Sequence, residues 1–385
     1  MNKADIRRTL QLEFINSNVE IEVGDVLDLP LDISELKMID HNSKYVVQHF
    51  DSGLTANVYK LSINGKYWTL KKKRDDILVK NIDGQTSFLN EIQRRRDFEY
   101  LKTLDRQSYQ EIVDTTYASL KNEIILSPWI DGHAIKRYTQ ASIQSLFNTL
   151  YHIEIAGLFE CDLCSGNLLA HDDGRVRLFD FGYMYPFNPL KEYNSDGKAL
   201  PIFHSVERFE TRSYMQYLMD IEDEIGLEIA LNEFRIEKTE ALKYYLRKRE
   251  WLISNNADDD IVDWISSFIS IWEDGITDIK MLNNLYDLES FRSYVLDIHD
   301  DIGGESCNPD TMRKLDKVIA KINSNYAYLK LNNGLFWGDE NISQSQLFNK
   351  YYEMKNDVQR FQIRNLNGFE KWRESRIESI KSIFL

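Results

Sequence analysis

Two acidic residues and an asparagine near the middle of the chain have the types and spacing that phosphoryl transfer needs. Asp162 and Asn167 are five positions apart, and Asp180 follows Asn167 by thirteen positions in an Asp-Phe-Gly sequence. Carboxylate and amide oxygens are hard ligands suited to a divalent cation. A further carboxylate can orient an acceptor hydroxyl and take its proton. The three residues therefore predict a metal site beside a proton acceptor.

These residues must be positioned by the elements around them. Residues 141–158 are predicted to form a helix that ends shortly before Asp162. Residues 167–182 read as a hairpin that turns at Asp172-Asp173-Gly174, with Asn167 and Asp180 towards its two ends. Taken singly, Asp162 also fits a helix cap and Asp180 a strand-ending turn. Their matched spacing in this context favours the catalytic interpretation.

A second group of candidate residues lies on an earlier predicted hairpin. The runs ANVYKLSI and KYWTLKKK flank Asn64-Gly65, the pair most typical of a two-residue hairpin turn. Such a turn places Val58 opposite Lys71, and opposite residues share a face of the sheet. Lys71 is then on the face that carries Val58 and Thr69, whereas Lys72 points to the other face. A register slip of one residue would exchange the two lysines.

Together these segments resemble the catalytic and metal-binding segments of the protein-kinase-like phosphotransferases. In this resemblance Asp162 accepts the proton, and Asn167 and Asp180 hold the metal. The resemblance implies an α+β, two-lobed kinase-like fold, with a small antiparallel-sheet N-lobe and a large, mostly helical C-lobe that has a helical C-terminal extension. It also implies ATP and Mg²⁺ as cofactors. It covers about residues 45–185, under half of the chain.

The resemblance assigns further residues to the nucleotide. Residues 51–59 resemble the loop that covers the phosphates, although Gly53 is the one glycine kept there. Lys71 is the phosphate-binding lysine, and Val58 and Thr69 lie on its face of the sheet, Val58 as the adenine contact. The predicted helix at about 86–104 supplies Glu91, which would pair with Lys71.

The strand predicted at 124–130 resembles the hinge between the lobes of this family. Ser127 comes just before the hinge and Trp129 lies along it, where the backbone would bond an adenine. We therefore count both residues among the candidate nucleotide contacts.

The sequence also departs from the family pattern. Glu160-Cys161 stand where the family has His-Arg, and Cys161 cannot pair with a phosphate as that arginine does. We therefore expect activity without phosphorylation, the segment after Gly182 being held by other contacts. Cys164 replaces a lysine of protein Ser/Thr kinases, which favours a small-molecule or glycan acceptor. The large helical region favours a protein acceptor, so the acceptor stays open.

Other functions fit parts of the same sequence. Cys161 and Cys164 fit a redox pair or half of a zinc site, but the pair precedes a hairpin rather than a helix, and few further ligands remain. A kinase-like binding module that recruits a protein partner through its helical half, with catalysis lost, is the main alternative. Joint retention of all five candidate residues favours an active enzyme: Lys71, Glu91, Asp162, Asn167 and Asp180.

Composition sets the remaining expectations. The 385 residues include 47 basic and 62 acidic ones, for a net charge of −15, which argues against a nucleic-acid-binding protein. Three cysteines are too few for a disulfide framework and suit a reducing compartment. No apolar run is long enough to span a membrane, and the N-terminal sequence lacks a secretory signal. We therefore expect a soluble, cytoplasmic protein.

The chain is predicted to have four parts: an N-terminal extension (1–44), a kinase-like N-lobe (45–132), a kinase-like C-lobe with the catalytic and metal-binding segments (133–220), and a helical C-terminal region (221–385). The extension is predicted to hold a short strand at Leu10–Ile15. Helices are predicted at 238–254, 258–271, 310–328 and 344–383, and this region could dock a protein partner.

Overall fold

The computed structural model describes residues 2–50, 53–363 and 367–385. Asp51 and Ser52, in the predicted phosphate-covering loop, lie outside the described residues. The chain divides into two compact units. The first unit comprises Met1–Ile135, Gln144–Asp162 and Gly166–Ser205, and the second comprises Lys136–Ile143, Leu163–Ser165 and Val206–Leu385.

The strands belong to the first unit and pair antiparallel throughout. They are β1 (Glu22–Gly24), β2 (Val46–Phe50), β3 (Ala56–Ile63), β4 (Lys66–Lys73), β5 (Tyr117–Ser119), β6 (Ile124–Pro128), β7 (Leu158–Glu160), β8 (Leu168–Ala170), β9 (Val176–Leu178) and β10 (Met184–Pro186). Six of them form one sheet in the order β1-β5-β6-β4-β3-β2, while β7 pairs with β10 and β8 with β9.

Helices make up most of the second unit. The helices of the chain are α1 (Lys3–Asn16), α2 (Ile33–Met38), α3 (Ile82–Leu104), α4 (Gln140–Ile155), α5 (Ser205–Phe209), α6 (Met215–Glu224), α7 (Leu227–Ser254), α8 (Asp259–Gly275), α9 (Ile279–Gly303), α10 (Pro309–Leu331), α11 (Gln344–Arg360) and α12 (Asn367–Phe384). A π-helical turn at Glu210–Tyr214 leads into α6. The α+β class is confirmed, with the six-stranded sheet in the N-terminal part and a large helical C-terminal part.

The six-stranded sheet is covered on both faces. Leu61 and Leu70 of the central hairpin pack on one face with Leu36 of α2. On the other face, Ile125 of β6 packs with Ile92 of α3. Burial on both faces explains why the sheet strands carry apolar residues in each direction. Residues that point towards α3 therefore enter a different environment from those that point towards α2.

The β3–β4 hairpin has the predicted register. Asn64 and Gly65 both have positive φ, 52° and 76°, as a two-residue turn of this hand requires. Val58 lies opposite Lys71, and Thr69 lies opposite Lys60. The hairpin predicted at 167–182 is also present, as β8 and β9, with Leu168 opposite Leu178.

The strand predicted at Leu10–Ile15 is wrong, because these residues belong to helix α1. Leu10 and Leu12 alternate with polar residues and so imitate a strand, yet both side chains are exposed. The helix buries Ala4 and Gln11 instead, which are two helical turns apart, and packs against α3. Asn2 caps it by accepting a hydrogen bond of 2.8 Å from the Asp5 N–H.

Two other predicted boundaries are corrected. Helix α3 begins at Ile82 rather than near Thr86, because Asn81 caps it through the Gly84 N–H. The helix predicted over 344–383 is instead two helices, α11 and α12, and residues 364–366 between them lie outside the described residues. Across the described ranges, no helix combines the length and the apolar character that crossing a membrane requires.

Candidate functional site

All ten residues predicted to bind nucleotide or metal or to act in catalysis belong to the first unit. At their centre, Lys71 lies between two carboxylates. Its Nζ atom is 2.6 Å from Oε2 of Glu91 and 2.9 Å from Oδ2 of Asp180. The side chains of Lys71 and Glu91 are nearly buried, whereas 35% of the Asp180 side chain is exposed. Three residues from three separate segments thus form one ionic cluster with an open side at Asp180.

The ionic contacts keep Lys71 and Asp180 charged despite their surroundings. Burial by itself would lower the pKa of Lys71, but the Asp180 and Glu91 carboxylates outweigh it and raise that pKa above its ordinary value. Burial would likewise raise the pKa of Asp180, but the Lys71 ammonium and the Gly182 N–H lower it. The cluster therefore presents a cation and a carboxylate at neutral pH.

Strand alternation decides which lysine enters this cluster. Lys71 points to the α3 face of the sheet, where Glu91 lies. Lys72 points to the other face, where its Nζ donates to the carbonyl oxygens of Lys37 and Ile39 at 2.6 Å and 2.7 Å. Lys72 thus holds the end of α2 to the sheet. Of the two adjacent lysines, Lys71 is the one that contacts Glu91 and Asp180.

The second group of predicted residues is held by local hydrogen bonds. Asn167 donates from Nδ2 to the backbone oxygen of Asp162 at 2.9 Å and to its Oδ2 at 3.3 Å. The Asp162 N–H donates to Oε1 of Glu160 at 2.7 Å. Burial raises the pKa of Glu160 well above its usual range, and the Asp162 and Asp180 carboxylates add to this rise. The Glu160 carboxyl group thus holds the backbone of Asp162 in place.

The metal-binding prediction can be tested against the donor atoms. Asn167 uses its amide nitrogen to bond Asp162, so its oxygen is not used in either of those bonds. Asp180 offers a partly exposed carboxylate. No group of three or more His, Cys, Asp or Glu suited to a metal occurs among the described residues. A sparse set of one carboxylate and one amide fits Mg²⁺, which commonly binds one or two protein oxygens with nucleotide phosphates and water.

The residues predicted to contact the nucleotide lie in strands β3, β4 and β6 of the same sheet or in the loops next to them. Val58 is opposite Lys71, and Thr69 is opposite Ser127. A Cβ atom on Gly53 would come within 2.4 Å of the Ala56 carbonyl oxygen, so this tight loop requires glycine.

Ser127 and Trp129 already have partners in the protein. The Oγ of Ser127 accepts a hydrogen bond of 3.0 Å from Arg95. The backbone N–H of Trp129 donates to the Tyr67 carbonyl oxygen, and the Lys60 ammonium lies 4.1 Å from the centroid of the Trp129 ring. Any adenine contact at Trp129 must therefore use atoms other than its backbone N–H.

Two residues of α3 were not singled out from the sequence. Arg95 donates to Oε1 of Glu91 at 3.0 Å, and Asn90 donates to three carbonyl oxygens, those of Phe181, Gly182 and Met184. Both side chains are buried. For Arg95 the available signal was its place one turn after Glu91, because positions four apart share a helix face. Asn90 is adjacent to Glu91 and lies on a different face, so this spacing could not have identified it.

Comparisons with known proteins add little to this site. No protein-family model matches the chain, and no curated protein matches it. One solved structure similar to part of it is described as "Structure of vaccinia related kinase 3", with 11% sequence identity and a TM-score of 0.28. The likeness covers 41% of this chain, which spans only 56% of the length of that protein chain. A likeness this slight carries no argument about fold or function.

Proposed function

We propose that this chain is an ATP-dependent kinase of the protein-kinase-like type, which transfers the γ-phosphate to a hydroxyl acceptor. The observation that carries the proposal is the cluster of Lys71 between Glu91 and Asp180. Burying a lysine and a glutamate costs free energy, and the geometry of the pair must compensate for it. A buried lysine that also reaches a partly exposed carboxylate is suited to binding an anionic group beside a metal.

The proposed reaction breaks the bond between the β- and γ-phosphates and forms a bond from phosphorus to the acceptor oxygen. Lys71, aimed by Glu91, binds the phosphates, and Asp162 orients the acceptor hydroxyl and takes its proton. Asn167 and Asp180 would hold Mg²⁺, which neutralises charge on the phosphates when it is bound. The remaining contacts to the nucleotide in this proposal are Gly53, Val58, Thr69, Ser127 and Trp129.

The acceptor is proposed only as a class, a hydroxyl on a protein side chain, a small molecule or a glycan. The helical unit has the size to dock a protein acceptor or another protein partner. The division into parts at residues 44, 132 and 220 and a cytoplasmic location belong to the same proposal. A binding module that kept the nucleotide site without catalysis would share the first steps of this scheme but not the transfer.

The experiment compares thermal unfolding with ATP alone, Mg²⁺ alone and both together. A ligand present at about 100 times its Kd stabilises a protein by about 2.7 kcal/mol. We expect a clear shift with MgATP and a smaller shift with ATP alone, and Asp180→Asn should lose the additional shift caused by the metal. Equal shifts with and without Mg²⁺ in the wild type would contradict the proposed site.

Turnover then separates the enzyme from the binding module. ATP consumption is measured with pools of protein, sugar and small-molecule hydroxyls, with Asp162→Asn as the matched control. We expect consumption that depends on an acceptor and falls by about 100-fold or more in the control. MgATP binding without consumption in any pool, at rates no higher than the control, would identify a binding module.

A further inference from the structure

Arg95 is a buried cation at the junction of the segments that carry the proposed site. It lies one helical turn after Glu91 on α3, and only 2% of the residue is exposed. Arginine is almost never fully buried unless it is paired. Its charge therefore needs an explanation from its surroundings.

The guanidinium group reaches four separate segments, the weakest contact being one of 3.5 Å to Oγ1 of Thr115. It donates to Oε1 of Glu91 at 3.0 Å, to Oγ of Ser127 in β6 at 3.0 Å and to the Phe179 carbonyl oxygen at 2.8 Å. Phe179 is the residue directly before Asp180. One planar group therefore links the helix, the sheet and the segment that carries the proposed metal ligand.

The charges of this cluster balance only when Arg95 is included. Lys71 and Arg95 supply two positive charges, and Glu91 and Asp180 supply two negative charges. Glu91 uses Oε2 for Lys71 and Oε1 for Arg95, so the two cations fix the rotation of its carboxylate. Without Arg95 the Glu91 carboxylate would be free to rotate about its Cγ–Cδ bond, and Lys71 would lose a fixed partner.

We propose that Arg95 is a positioning residue for phosphoryl transfer, which sets Glu91 and the backbone before Asp180 relative to the sheet. This inference rests on the proposed kinase function. Arg95 acts through Glu91, Ser127 and Phe179 and has no role in contacting substrate. Loss of such a supporting contact typically lowers activity by about 10- to 100-fold.

The first test is a comparison of kinetic constants for Arg95→Met, Arg95→Lys and the control Arg96→Met. Arg96 is on the same helix but 57% of its side chain is exposed. Arg95→Met should lower kcat by about 10- to 100-fold with KM for ATP within about three-fold of wild type. Arg95→Lys keeps the charge but loses the planar set of donors, so its kcat should also be lower than that of the wild type. The kinetic constants of the control Arg96→Met should match those of the wild type.

The second test is hydrogen–deuterium exchange without nucleotide, which does not depend on activity. Arg95→Met should exchange several-fold faster in peptides covering residues 179–184, while peptides from 227–331 keep wild-type rates. Faster exchange throughout the chain would show a merely structural role and overturn the proposal. If Arg95→Met does not fold, the same measurements on Arg95→Lys decide the question.

The two tests separate this inference from the proposed function. If the wild type consumes ATP and Arg95→Lys and any folded Arg95→Met have wild-type kcat, the positioning role is wrong and the kinase function stands. If the wild type neither binds nor consumes ATP, the kinase function is wrong. The exchange result alone then decides whether Arg95 places the segment before Asp180.

Discussion

Asn90 donates a hydrogen bond of 2.7 Å to the carbonyl oxygen of Met184, which ties helix α3 to the segment that follows Asp-Phe-Gly. The same amide also reaches the carbonyl oxygens of Phe181 and Gly182. Next along the segment, the guanidinium carbon of Arg7 lies 3.6 Å from the centroid of the Tyr185 ring. Unmodified side chains of α3 and α1 thus hold the segment that follows Asp180.

The first prediction is that activity does not require phosphorylation. Phosphatase treatment should leave ATP turnover unchanged, because Asn90 and Arg7 hold the segment without a charged modification. Mass spectrometry of the fully active protein should show no required phosphate between Tyr183 and Phe209. Loss of activity on dephosphorylation, restored by a single phosphosite in this window, would contradict the prediction.

The second prediction concerns Asn90 itself. Asn90→Ala leaves three carbonyl oxygens without this donor, so the free energy of unfolding should fall by about 1–3 kcal/mol. Turnover of ATP should fall by about 10-fold or more, because the segment next to Asp180 loses its tie to α3. The control is Asn122→Ala, since the Asn122 side-chain amide donates to the Tyr117 hydroxyl rather than to the segment after Asp180. Equal turnover in Asn90→Ala and wild type would show that this tie does not matter for activity.

The third prediction separates the adjacent lysines. Lys71→Met should lower turnover by about 100-fold or more, since it removes the proposed phosphate-binding cation. Lys72→Met should keep turnover near the wild-type rate but lower the free energy of unfolding by about 1–3 kcal/mol, because two carbonyl oxygens near α2 lose their donor. Urea unfolding and steady-state kinetics on both variants make the comparison. The reverse pattern would assign the catalytic role to Lys72.

The fourth prediction concerns pH and a buried cluster in the second unit. Lys238 is fully buried and its Nζ lies 2.7 Å from Glu210 and 3.5 Å from Glu237, and it also pairs with Glu289. Its ammonium lies 4.6 Å from the centroid of the Trp272 ring. Burial raises the pKa of Glu237 to about 7, and the nearby Glu289 carboxylate adds to this rise.

A raised carboxyl pKa means that the folded protein keeps a proton that the unfolded chain releases. The contribution of Glu237 to the free energy of unfolding therefore falls as pH rises from about 4.5 to about 7. Glu237→Gln removes this contribution, so its stability relative to wild type should be higher at pH 8 than at pH 5. Thermal unfolding at both pH values measures the difference, with exposed Glu250→Gln as the control. A difference that does not change with pH would contradict the prediction.

The sequence was most informative where local geometry decides the outcome. The Asn64-Gly65 turn allows few backbone conformations, so the pairing of Val58 with Lys71 followed by counting. The choice of Lys71 over Lys72 rested on the same count. Glu91 was identified from the resemblance alone, and the structure places its carboxylate against Lys71.

Arg95 and the first strand could not be predicted in the same way. An arginine within a helix normally lies on the solvated face. Only the tertiary fold brings Ser127 and Phe179 to the face of α3 that carries Arg95. Strand β1 is three residues long, and its partner β5 comes about 95 positions later in the chain. Such a short strand has no periodicity to detect, so the sheet's edge was not foreseen.

Helix α1 precedes its partners in the chain by long stretches of sequence. Arg7 pairs with Asp83 and with Asp196, and the second of these lies 189 positions downstream. At about 5–20 residues per second, a ribosome needs about 10 to 40 s to reach that position. Helix α1 can therefore pack on α3 and pair with Asp83 while the chain is still being made, and Asp196 joins these contacts only when most of the first unit has been synthesised.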